Sequence, residues 1–351
     1  MESKEQESGW LERIVSVVDG RELLLLFALV LFPLFLTGNF SLTTHVLIFA
    51  MFAMGYYISL GETGMLTFGH AAFFGLGAYG SAFWLVHVDA PAYMGFFGIV
   101  TGTLLAIVGG IVIGALSLRR RGTYLALITL AFQQMVYFTF FQWESLTGGD
   151  DGLYGLETPT LGIPGVFVLE FEEAFGGLVN SEMMFFAFVF VIFTASVLAI
   201  RRLKQSKLGH VFNAVRENED RANFLGYDVQ RYRMIAFVAS AGFAGLGGTL
   251  YPIYLNFVGL STLNWVLSGE VNFFLLLGGL GSFVGPIVGT MSYYWVVDEI
   301  SAFTEHWQLF VGLIFIALVL FLPEGIVGTL RDYVSDRTSY TTQEVPPRSN
   351  E

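Results

Sequence analysis

All 17 Lys and Arg residues of this 351-residue chain fall into four stretches. Lys4, Arg13 and Arg21 stand near the start, Arg119, Arg120 and Arg121 form a triplet, eight lie between Arg201 and Arg233, and Arg331, Arg337 and Arg348 close the chain. The segments between these stretches are predominantly apolar. A soluble protein spreads such charges over its surface, whereas a membrane protein collects them on the side from which it is inserted. The pattern predicts an all-α, polytopic membrane bundle with its four basic stretches on the cytoplasmic side. A composition that is 54% hydrophobic and only 13% charged agrees.

With about 20 residues per transmembrane helix as the yardstick, the crossings follow from hydropathy. An N-terminal arm, 1–19, is cytoplasmic. Residues 20–37 go out, 42–60 return after a turn at Gly38 and Asn39, 63–86 go out, 95–118 return to the arginine triplet, and 122–141 go out. The loop 142–182 holds eight acids and no base, which makes it external by charge. Residues 183–200 return to the basic segment 201–233, and 234–257 go out.

Segment 265–297 is apolar but broken by Gly278, Gly279, Gly281, Gly285 and Pro286. It is expected to enter and leave on the outer side, as two short helices or a re-entrant hairpin turning near 281–286. Residues 308–322 then cross once to a polar cytoplasmic tail, 331–351. The total is about ten membrane segments within a transmembrane domain, 20–330, at the cytoplasmic membrane, with both termini cytoplasmic. No early small-residue cleavage pattern follows the first apolar run, so that run is expected to remain as a membrane helix.

Several chemistries are excluded. Without Cys there are no disulfides, thiolate metal sites, iron–sulfur clusters or cysteine nucleophile. The run Leu277 to Gly289 has glycines at phosphate-loop spacing, but no Gly-Lys pair exists in the chain, so nucleotide binding by it is not expected. Asp150 and Asp151, in a glycine-rich stretch, read as a turn or docking loop. No nucleophile, base and metal constellation marks an enzyme, no cofactor is expected in this chain, and a net charge of −12 offers no footprint for nucleic acid. Acidic, lysine-poor loops match the composition of a high-salt cytoplasm, an expectation that folding without a salt requirement would overturn.

Two segments carry the candidate chemistry. Residues 61–82 contain glycine at 61, 64, 69, 75, 77 and 80, and small residues let helices approach closely in lipid. The same run contains Glu62, Thr67 and His70, which hydrocarbon does not tolerate unpaired. Gly64 to His70 is therefore a candidate unwound turn on a translocation pathway, with Glu62, Gly64, Thr67, Gly69 and His70 as its residues. His70 reads equally well as a packing histidine.

In the second segment, Leu208, Val211, Phe212 and Val215 form one apolar helical stripe, continued by Ala222 and Leu225. Arg216 with Asp220, and Glu217 with Arg221, stand at pairing distance on a continuous helix, which Gly226 stops. Such a face would lie on the lipid bilayer or insert into a groove on a soluble partner.

Gly61 to Ala82, Arg119 to Phe132, Trp143 to Gly152, Arg216-Glu-Asn-Glu219 with Gly226, and Gly278 to Ser282 with Gly285-Pro286 together resemble the LivM-type permease of branched-chain amino acid ABC transporters. They occur in the family's order over roughly residues 40–325. The resemblance implies an importer in which this chain pairs with a LivH-type permease, two cytoplasmic ATP-binding subunits lie below, and an extracellular solute-binding protein delivers the ligand. It also implies that 208–226 is the ATPase-coupling region, with Arg216, Glu217, Asn218, Glu219 and Gly226 at the matching positions.

Gln133 and Gln134 depart from the family pattern, which often carries an acid there. Urea and short-chain amide importers use similar permeases and stand as alternatives. From another class, a stand-alone secondary transporter would need Glu62 and Glu270 as ion-coupling carboxylates.

Overall fold

The computed structural model describes residues 39–87, 94–154, 161–163, 167–169, 181–322 and 324–329. The expected arm, the crossing at 20–37 and the tail at 331–351 lie outside these residues.

The helices are α1 (Phe40–Tyr57), α2 (His70–His87), α3 (Met94–Ser117), α4 (Thr123–Gln142), the short α5 (Glu144–Thr147), α6 (Ser181–Gln205), α7 (Lys207–Glu217), α8 (Glu219–Phe224), α9 (Val229–Leu255), α10 (Trp265–Gly278), α11 (Gly285–Phe303) and α12 (Trp307–Phe321). Nine of the ten expected membrane segments are thus helices among the described residues, and the protein is a polytopic helical membrane protein. Five of them, spanning Phe40–Glu62, Phe96–Ser117, Thr123–Gln142, Glu182–Gln205 and Val229–Leu255, are long and apolar enough to cross a bilayer unaided. At 14 residues α10 is about 21 Å long, short of the roughly 30 Å hydrocarbon core.

Helix α1 is the axis of the bundle. Its residues from Val46 to Tyr57 are buried throughout, and it packs on α6, α9 and α11. Small residues set the closest crossings: a Cβ on Gly77 of α2 would strike the Gly245 carbonyl of α9, one on Gly102 of α3 would strike the Gly77 carbonyl, and one on Gly245 would strike Ala106. Three helices therefore meet backbone to backbone, the contact that drives association where lipid removes the hydrophobic incentive.

Helices α10 and α11 pack against each other and turn through Gly279–Val284. That turn lies at the basic end of the bundle, where the Phe283 ring is 5.8 Å from the Lys204 ammonium. The broken segment therefore begins and ends at the opposite end, as hydropathy predicts. At that opposite end, β1 (Leu153–Tyr154) pairs antiparallel with β4 (Phe257–Val258), and β2 (Leu161–Ile163) pairs with β3 (Phe167–Leu169).

Candidate functional site: an unwound stretch clamped by the basic segment

Helix α1 ends in a π turn, Ile58–Glu62, after which the backbone leaves the helix over Thr63–Gly69 and re-enters it at His70. Two glycines make this path possible. Gly64 has φ +70°, a region costly for other residues, and a Cβ on Gly69 would stand 2.7 Å from the Thr129 carbonyl oxygen of α4.

Unwinding frees backbone groups, each of which costs several kcal/mol unpaired in an apolar surrounding. Side chains satisfy them. Tyr56 Oη receives a bond from Thr67 N (3.2 Å) and donates its proton to Thr67 O (3.0 Å) or Asn272 Oδ1 (2.7 Å), while Asn272 Nδ2 also reaches Thr67 O (3.4 Å). Phe68 N donates to Thr129 Oγ1 (3.2 Å) and Ala71 N to Ser268 Oγ (2.9 Å). One turn beyond Thr129, Gln133 donates to Leu263 O and ties α4 to the 3-10 turn Leu260–Leu263.

The His70 ring is fully buried and both its nitrogens are engaged, Nδ1 with Thr67 Oγ1 (2.6 Å) and Nε2 with Ser240 Oγ of α9 (2.7 Å). His70 thus locks the stretch to α9 and presents nothing to open space. Thr67 and Gly69 are buried with it, and the accessible positions are Gly64 and Leu66, with Phe68 half-buried.

The lower end of the stretch is charged. Glu62, 3% exposed, pairs through Oε1 with Lys204 Nζ of α6 (2.8 Å) and accepts from Asn213 Nδ2 of α7 (3.2 Å) at Oε2. Lys204 also donates to Tyr57 Oη (2.7 Å). Arg216 of α7 donates to the Gly61 carbonyl. Two of the coupling candidates' neighbours, and Arg216 itself, thus hold the π turn directly.

The basic segment departs from its expected form in two ways. Asn218 has an extended backbone, φ −162°, ending α7 and capping α8 by accepting from Arg221 N (2.8 Å). Arg216 and Asp220, like Glu217 and Arg221, therefore sit on different helices. Asp220 instead faces Arg121 (3.8 Å), and Glu219 bridges Arg121 (2.7 Å) and the buried Arg233 of α9 (3.8 Å).

The apolar stripe also has a different destination. Val211, Phe212, Val215 and Ala222 are buried against the protein's own bundle, together with Val229, so neither lipid nor a soluble partner covers that face. Leu225 leaves the stripe. It is 71% exposed beside Phe224 at 90%, just ahead of Gly226, whose φ of +87° ends α8. Glu217 and Asn218 are exposed as well.

Sequence reasoning missed Lys204, Asn213 and Tyr57 around Glu62, Arg121 and Arg233 around Glu219, and Asn272, Ser268, Ser240 and Thr129 around the unwound stretch. The last four were detectable as polar side chains inside apolar helices, where each needs a partner.

The family model described as "Branched-chain amino acid transport system / permease component" matches residues 39–320. The permease LivM of a high-affinity branched-chain amino acid transport system from Escherichia coli is 28% identical over 310 residues, 84% of this chain and 71% of that protein. The permease LivH of the same system is 26% identical over 318 residues, 85% of this chain and 96% of its own length. The permease BraD from Pseudomonas aeruginosa is 26% identical over 80% of this chain and 91% of its own length. No solved structure gives a significant match. A bundle whose central helix unwinds where a basic segment grips it, and whose sequence matches this family model over most of its length, belongs to the permease-component family of branched-chain amino acid transport systems.

Proposed function

We infer that this chain is the transmembrane permease of an ATP-driven importer that carries branched-chain amino acids. Its family and the names of its relatives support that reading. The observation that carries the mechanism is the pairing of Glu62 and Gly61 with Lys204, Asn213 and Arg216. It joins the unwound stretch, the candidate pathway, to the segment that would meet the ATPase.

In this reading the basic end is cytoplasmic, by the positive-inside rule. A LivH-type permease stands beside the chain, two ATP-binding subunits contact the basic end, and a solute-binding protein docks at the acid-rich opposite end. The apolar tip at Phe224 and Leu225, together with the exposed Glu217 and Asn218 at the other end of α8, is the surface offered to an ATP-binding subunit. The buried stripe of α7 transmits movement of that tip to α1 because it packs on the bundle and does not slide over lipid.

ATP-driven closure of the subunits below would push α7 and α8, and the push reaches the π turn through Lys204 and Arg216. A zwitterionic amino acid then passes along Gly64 and Leu66, where backbone dipoles meet it. Glu62, already neutralised by Lys204, serves as a joint and does not bind a coupling ion. This separates the reading from a secondary transporter in which Glu62 couples an ion.

Gentle-detergent purification of the tagged chain tests the assignment. Recovery of a second permease and ATPase subunits, and ATP-dependent uptake of labelled leucine after reconstitution, is the expected result. Uptake by the chain alone in liposomes without ATP would overturn it. Uptake of urea and not leucine would keep the mechanism and change the substrate.

A further inference from the structure

Helices α3 and α9 touch on their bundle side, where a Cβ on Gly110 would stand 2.6 Å from Ala241 Cβ and one on Gly114 2.8 Å from Met234 Sδ. On the other side of that contact they part. A groove of about 540 Å³ runs between them, walled by Thr103 and Ile107 of α3 and by Ile235, Ala239, Gly242 and Leu246 of α9. Ala239 and Gly242 leave it open, because neither carries a side chain long enough to fill it. From Ile235 to Leu246 the groove follows α9 for about 17 Å, roughly half of the ~30 Å hydrocarbon core and thus the depth of one leaflet. Both helices are long and apolar enough to cross the bilayer, and Leu104 and Val108, next in the chain to Thr103 and Ile107, are exposed.

The interior of the groove offers nothing to a polar ligand. Thr103 is the one polar residue among the described residues that line it, and its hydroxyl donates to Ile99 O (2.7 Å). Cations stand at its foot. Arg231 lies four residues before Ile235 and eight before Ala239, so it continues the groove's stripe on α9 toward the basic end of the bundle. Arg233 Nη2 donates to Arg120 O (3.1 Å), which brings the arginine triplet to the same turn of α9. Within that triplet Arg121 is engaged by Glu219 and Asp220. Arg119, Arg120 and Arg231 are exposed, and among the described residues none of the three forms an ion pair. An apolar slot one leaflet deep, with unpaired cations at its surface end, complements a molecule that joins a hydrocarbon chain to an anionic head.

We propose that the groove between α3 and α9 binds an anionic phospholipid, with one hydrocarbon chain along Ile235 to Leu246 and the phosphate at Arg231 and the Arg119–Arg120 pair. The site is a property of the fold and stands independently of the importer reading.

Titration of the full chain in detergent with phosphatidylglycerol or phosphatidylcholine of identical chains, read by native mass spectrometry, tests it. One phosphatidylglycerol is expected to bind saturably, at least about tenfold more tightly than phosphatidylcholine. Arg231→Gln should weaken phosphatidylglycerol binding about fivefold, and adding Arg119→Gln and Arg120→Gln should weaken it further, while phosphatidylcholine binding stays as it was. Ala239→Phe, which fills the groove, should weaken both lipids; should that variant lose its monodisperse gel-filtration peak, Ala239→Leu decides. Soluble glycerol phosphate, the head without the chain, should not displace the lipid. Equal affinity for the two lipids, phosphatidylglycerol binding unchanged in the triple arginine variant or in the groove-filling variant, or displacement by glycerol phosphate at the lipid's own concentration would overturn the proposal. So would cross-linking of Ile235→Cys, the single thiol of an otherwise cysteine-free chain, to a second polypeptide, since a protein helix would then occupy the groove.

Discussion

The two ends of the unwound stretch are held by opposite chemistries. Around Thr67 and His70 every partner is neutral: Tyr56, Asn272, Ser240, Thr129 and Ser268 exchange hydrogen bonds in a fully enclosed setting. Around Gly61 and Glu62, only a few residues away, the partners are Lys204, Arg216 and Asn213, and the lysine is a third exposed. Neutral bonds deep in the bundle cost little to desolvate and fix geometry, whereas a charged joint is tolerable only near water, where it can break and re-form. The stretch is thus anchored at its upper end and adjustable at its lower end.

Removing one partner of the charged joint is the harshest way to break this contrast. Lys204→Met leaves Glu62 buried with Asn213 but without a counter-charge, and is expected to cost about 3 kcal/mol of stability, read as a lowered melting temperature in detergent. Adding Glu62→Gln should recover most of that stability without recovering transport. If the double variant couples ATP hydrolysis to uptake normally, the joint has no part in coupling.

The neutral anchor should fail more gently. Asn272→Leu strips Thr67 O and Tyr56 of a partner and is expected to cost about 1–3 kcal/mol. Basal ATPase activity of the assembled complex should persist while uptake falls, because the change leaves the tip proposed to meet the ATP-binding subunits untouched. His70→Phe, which keeps the ring and loses both hydrogen bonds, should behave alike. An unchanged melting temperature in both variants would remove the anchor from the account.

Smallest in stability is the exposed tip. Phe224→Ala with Leu225→Ala should stay within about 0.5 kcal/mol of wild type, yet lose ATPase subunits on purification. Retention of those subunits would move the docking surface elsewhere.

Much of this was legible in the sequence because hydropathy, charge segregation and glycine placement are local signals. Nine helices, the turn between α10 and α11, and the break between Glu62 and His70 all follow from them. The i,i+4 ion pairs at Arg216 and Glu217 were misread because Asn218, a strong cap, interrupts the helix that the periodicity implied. The amphipathic stripe revealed that α7 has an apolar face but not what covers it, since lipid, partner and own bundle leave the same pattern. Glu62 finds Asn213 at a separation of 151 residues, and pairing at that range leaves no trace in a single sequence.

The π turn at Ile58–Glu62 has a mechanical meaning of its own. A π turn is a helix carrying one residue more than its α counterpart. Winding it into α form would carry Glu62 about 100° around the helix axis and advance the chain by about 1.5 Å. The seam between helix and unwound strand thus stores a spare residue, and a push on Glu62 can be taken up there in a single residue step while Tyr56, Thr67 and Asn272 keep their hydrogen bonds.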